Sequence, residues 1–136
     1  MNIKQLMPIS FAAIALSLGA CATTGGGSDA SHLAAYTPYL QPAVKSIRYT
    51  QARNWEKITD QHVLLETRPN EQYLLKLDGP CLQFSNGSPS LIVDAHMTGM
   101  LSAGTDRIGT MDSRITCLIR EIRPLDYAAM QAGKGS

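Results

Sequence analysis

The sequence lacks an excess of charge of either sign. Its 12 lysines and arginines are met by 11 aspartates and glutamates, and no basic run stands out. Nucleic-acid binding normally needs a basic face, and adhesion to an anionic membrane surface a polybasic cluster, so neither is expected. An apolar run of the roughly 20 residues that a spanning helix requires is also missing. Aromatic residues make up only 6% of the chain, with a single tryptophan. Trp55 lies among strand-like, amphipathic neighbours and is expected to cap a core rather than to present a ligand platform. The three histidines, His32, His62 and His96, stand far apart and match no metal-ligand spacing. No serine occupies a G-x-S-x-G elbow, and the glycines between 99 and 109 match no phosphate-binding pattern. Catalytic residues, cofactor and metal are therefore all expected to be none.

What the sequence does contain begins at its N-terminus. Residues 1–20 carry one cation, Lys4, then a short apolar centre from Ile9 to Leu18, then the small residues Gly19 and Ala20. That is the order of a secretory signal. Leu18-Gly19-Ala20-Cys21 resembles the bacterial lipoprotein box. The resemblance implies cleavage before Cys21 and acylation of its thiol, and so a membrane partner held through acyl chains; several chains are needed for stable anchoring. Plain secretion, with Cys21 a spare thiol, is the alternative. Ala22 is not the aspartate that favours inner-membrane retention in enterobacterial lipoproteins. By analogy, the expected address is the outer membrane, facing the periplasm. Residues 21–35 then read as anchor and flexible tether, small and polar with three consecutive glycines.

Residues 36–131 read as one β-rich domain, and 132–136 as a frayed tail. Residues 32–36 allow one helical turn before Pro38. Alternation over 44–49 predicts a first strand. Val63 and Leu65 share a face of the next clear strand. Tyr73, Leu75 and Leu77 share a face of its successor, with Lys76 opposite. Arg68-Pro69-Asn70-Glu71 supplies the turn of an antiparallel hairpin. Gly79-Pro80 bends the chain before Cys81, and Ser85 to Pro89 form a second polar turn. Leu91, Val93 and Ala95 form one face of a further strand, with Asp94 and His96 on the other. Strands broken by bulges or turns are expected between 98 and 110. Cys117 lies in a long strand over 114–123, expected to be central because both faces carry aliphatics: Ile115 and Ile119 on one, Leu118 and Ile122 on the other. Residues 125–131 favour a short helix that Gly133 can stop. The expected fold is mainly β: a small antiparallel barrel or roll with a short C-terminal helix. Barrel closure would also remove exposed edges. Cys81 and Cys117 are expected to form a disulfide, since an oxidising compartment favours pairing over a nucleophile and a spare thiol.

The runs Trp55-Glu56, Val63-Leu64-Leu65, Tyr73-Leu74-Leu75-Lys76-Leu77 and Cys81, then Asp106-Arg107-Ile108 and Cys117-Leu118-Ile119-Arg120-Glu121-Ile122, resemble domain-of-unknown-function family 6491, a group of small proteobacterial proteins. The likeness covers most of residues 42–126. It implies a secreted, often lipid-anchored domain with no assigned activity, and it carries no catalytic residue across.

The expected function is that of a lipid-anchored envelope protein with a non-enzymatic binding or structural role and an envelope protein as its partner. Two alternatives stand beside it. One is a periplasmic inhibitor of a wall-degrading enzyme, on analogy of architecture alone. The other is a small hydrolase using barrel-mouth carboxylates, Asp94 or Asp106. A deep pocket with converging carboxylates would favour the hydrolase, and an exposed apolar patch the binder.

Overall fold

The computed structural model describes residues 27–82 and 89–134. Cys21, the signal-like segment and the first part of the tether lie outside the described residues. So do residues 85–88 of the second polar turn and the last two residues of the tail.

The chain enters through helix α1, Gly27–Tyr36, which carries Asp29 in its first turn, where a carboxylate complements the free N–H groups. A 3-10 turn, Thr37–Tyr39, continues it, with Pro38 in a starting position where its missing N–H costs no bond. The helix begins within the stretch expected as tether and runs 10 residues, nearly three turns, where a single turn was read from residues 32–36. A short strand β1, Ser46–Arg48, follows. Then come β2, Asn54–Thr59; β3, His62–Arg68; β4, Glu71–Leu77; and β5, Leu91–Asp94. The last strands are β6, Met100–Ser102; β7, Arg107–Thr110; and β8, Thr116–Pro124. Helix α2, Tyr127–Lys134, ends the described chain. Asp126 caps it by accepting the N–H of Ala129 at 3.0 Å. Gly133 lies inside α2 rather than stopping it, and a Cβ there would stand 2.7 Å from the Tyr39 hydroxyl.

Six strands form an antiparallel half-barrel in the order β2-β3-β4-β8-β7-β5, and β1 pairs with β6 in a separate ribbon. The sheet stays open between β2 and β5, so it keeps the two edges that full closure would have removed. The β3–β4 hairpin turns on Pro69 and Asn70. Proline fixes its own φ, and Asn70 takes φ 65°, a region that asparagine tolerates better than most residues. Strand β8 is central, as its two apolar faces predict. It pairs with β4 on one side, and on the other with β7 and then with Val44.

Both faces of the sheet are covered. The inner face carries Val63, Leu65, Leu75, Leu77, Ile108 and Ile119, packed with Ile47 and Leu101 of the ribbon; Trp55 packs against this core, as expected. The outer face carries Ile58, Leu64 and Leu74, covered by Leu33, Tyr36 and Tyr39 of the helical layer and by Met130 of α2. One expected alternation fails in β8. Ile119 and Ile122 lie three apart yet share the inner core. The register slips by one residue between Lys76 and Leu77, so Lys76 faces Glu121 while Leu77 faces Ile119. The extra residue, Arg120, resets which side chains point inward.

Candidate functional site

The hairpin register builds a polar row across the outer face. His62 pairs directly with Lys76, and Lys76 with Glu121 of β8. The next row holds Leu64, Leu74 and Arg123. The helical layer covers the leucines and stops short of the polar row. Between them lies a cleft of about 190 Å³, lined by Leu33, Thr37 and Leu40 above and by Leu74, His62, Lys76, Glu121 and Arg123 below.

Thr59 Oγ1 accepts the N–H of Gln61 at 3.1 Å and stands 2.8 Å from His62 Nδ1. A hydroxyl both donates and accepts, so this bond forms with the ring proton on either nitrogen. Burial lowers the His62 pKa; Lys76 lowers it further, and Glu121 opposes them. The ring is therefore neutral near pH 7. Arg123 donates from Nε to the carbonyl of Gln41 at 2.9 Å, and Glu121 Oε1 stands 3.7 Å from the same nitrogen. Thr37 spends its hydroxyl proton on the Leu33 carbonyl at 3.0 Å. The cleft thus offers an ammonium, a neutral imidazole and the outer nitrogens of a guanidinium, beside one carboxylate and an apolar wall.

The carboxylates singled out in the sequence lie elsewhere. Asp94 is exposed at the end of β5, opposite Arg107. Asp106 is only 1% exposed. Its Oδ2 accepts the N–H of Ser102 at 2.6 Å, and its Oδ1 the N–H of His96 at 3.0 Å. His96 Nδ1 at 3.2 Å and the Thr105 hydroxyl at 3.3 Å complete the shell. Burial pushes this carboxyl up, but those donors outweigh burial and hold it below the ordinary range. Asp106 ties together the segments that follow β5 and β6; Asp94 takes no part in that cluster.

Cys81 and Cys117 are bridged, with their Cα atoms 6.0 Å apart. His32 pairs with Glu56 of β2 at 3.4 Å, fastening α1 to the sheet edge. Among the described residues, no group of three histidine, cysteine or acidic side chains is placed to hold a metal. The cleft itself was not foreseen. Its floor left a trace in the sequence, because His62 and Lys76 fall on polar phases of two strands whose turn fixes their register. Its roof left none, since Leu33 and Leu40 sit in a stretch read as tether and open chain.

No curated protein and no solved structure matches this chain. A family model does, over residues 4–135, and so nearly the whole sequence. The chain belongs to the family of unknown function DUF6491.

Proposed function

We propose that this protein is a lipid-anchored component of the bacterial envelope, held in the outer membrane through Cys21, whose domain binds a partner without catalysing a reaction. The outer-face cleft carries the reading. It combines an apolar wall with a few convergent polar groups, one of them a histidine of lowered pKa, which is how binding sites are commonly built. The signal-like N-terminus ending in Cys21 and the Cys81–Cys117 bridge support an oxidising, membrane-apposed setting. A hydrolase built on Asp94 or Asp106 finds less support, because both oxygens of Asp106 are committed to backbone N–H groups.

The test places a photo-crosslinking amino acid at position 37, at the mouth of the cleft, in living cells. A discrete adduct is expected, lost when Leu33→Trp fills the cleft, and absent when the crosslinker sits at exposed Gln51. A fatty-acid analogue should label the wild-type protein and not Cys21→Ser. Equal crosslinking from positions 37 and 51 would remove the cleft as the binding site, and equal labelling of Cys21→Ser would remove the anchor.

A further inference from the structure

The ligand of this cleft can be narrowed by its chemistry, on the reading of the cleft as a binding site. We infer that the cleft takes a free carboxylate carried on a short apolar group.

Charge gives the first reason. Arg123 and Glu121 stand 3.7 Å apart and largely answer each other. Lys76 makes no ion pair within 4 Å among the described residues, so its charge is the unanswered one in the cleft. Its cross-strand neighbour His62 is neutral, and a bound carboxylate selects the tautomer in which Thr59 donates to Nδ1 and Nε2 carries the N–H. One ammonium and one neutral N–H then suit the two oxygens of a monoanion.

The same groups argue against the neighbouring chemistries. A phosphate dianion would meet one unanswered cation for its two charges, with the Nε of Arg123 already committed to Gln41. An amine would face Lys76 directly. A neutral amide would leave the charge of the exposed ammonium unused.

Size and wall composition give the other half. Leu33, Leu40 and Leu74 provide the apolar side. About 190 Å³ is the share of roughly six waters and lies below the range of drug-sized pockets. That space suits a branched chain of a few carbons with its carboxylate. The C-terminal residue of a peptide and a free short-chain acid share this chemistry.

The experiment follows the His62 ring and Lys76 side-chain signals by NMR in the full-length protein held in non-ionic detergent micelles. The probes are isovalerate, its amide, isoamylamine, N-acetyl-alanyl-leucine and the amide of that peptide. Isovalerate should shift both residues saturably, with a Kd on the order of millimolar for so small a probe. Its amide and the amine should bind at least tenfold more weakly. Lys76→Gln should weaken isovalerate tenfold, and Lys76→Arg should restore most of the loss. Tighter binding of the peptide acid than of isovalerate would support a peptide terminus as the source, and the reverse a free acid. Equal shifts from acid, amide and amine would overturn the carboxylate while keeping the cleft as a binding site. No shift from any probe, together with no adduct from position 37 in cells, would overturn both readings.

Discussion

Asp106 shows how one side chain can hold several segments in place. Its carboxylate collects the Ser102 and His96 N–H groups, while its own backbone accepts the Ile119 N–H at 2.9 Å and donates to the Ser102 carbonyl at 3.2 Å. Asp106→Asn would present an amide NH2 to one of two donors and lose the charge that strengthens both bonds. Hydrogen bonds to a charged group contribute roughly 1.5–3 kcal/mol, and a loss of about that size is expected in urea titrations at pH 7. The pH dependence follows from the lowered pKa. The unfolded carboxyl, ordinarily at 3.8, takes up a proton before the folded one does as pH falls. The stabilisation is therefore complete well above 3.8 and drains away as pH falls through the folded value. The gap between wild type and Asp106→Asn should narrow in acid. A gap that stays constant down to pH 2.5 would show that the charge is not the source.

At the scale of elements, Gly109 in β7 is fixed by crowding. Its φ does not require glycine, but a Cβ there would collide with the Ile115 carbonyl and stand 3.0 Å from Thr116 Cα. These are backbone atoms of the adjoining β7–β8 connection and cannot swing aside. Gly109→Ala should therefore cost about 2–3 kcal/mol, near the upper end for overpacking. Arg114, at φ 54° in the same connection, should absorb part of the strain. A melting temperature within 2 °C of wild type would refute the crowding argument. What the sequence made legible at this scale follows the same physics. The β3–β4 hairpin was readable because Val63, Leu65, Tyr73, Leu75 and Leu77 alternate around a Pro-Asn turn. Ile119 and Ile122, read as lying on opposite faces, share the inner core, since a one-residue bulge at Arg120 leaves no mark in an apolar pattern. The helical layer was largely unread. Its evidence is Leu64 and Leu74, apolar residues on what looked like solvent phases, and these declare a second layer only once both faces are known to be buried.

At the scale of the whole molecule, the disulfide encloses one end of the half-barrel. Cys81 lies in the inner core just beyond β4, and Cys117 lies in β8 opposite Ile108 of β7. The 36-residue separation contains β5, β6 and β7. Those three strands are short, at four, three and four residues, and hold few ladder bonds of their own. The remaining sheet, β2-β3-β4-β8, closes through longer strands outside that loop. Cross-linking positions 36 apart restricts the unfolded chain by about 4 kcal/mol on the loop-entropy argument, against a total of about 5–15 kcal/mol for a small domain. Cys81→Ala with Cys117→Ala should lower the melting temperature by roughly 15–20 °C, at about 4–5 °C per kcal/mol for a domain near 100 residues. The loss should be uneven in space. Amides of β5 and β7 should lose hydrogen-exchange protection first, while β3 and β4 keep theirs to a higher denaturant concentration. Uniform loss across all strands would mean that the bridge acts on the unfolded chain alone. A fall of less than 5 °C would mean that the Asp106 cluster and strand pairing hold β5, β6 and β7 without it.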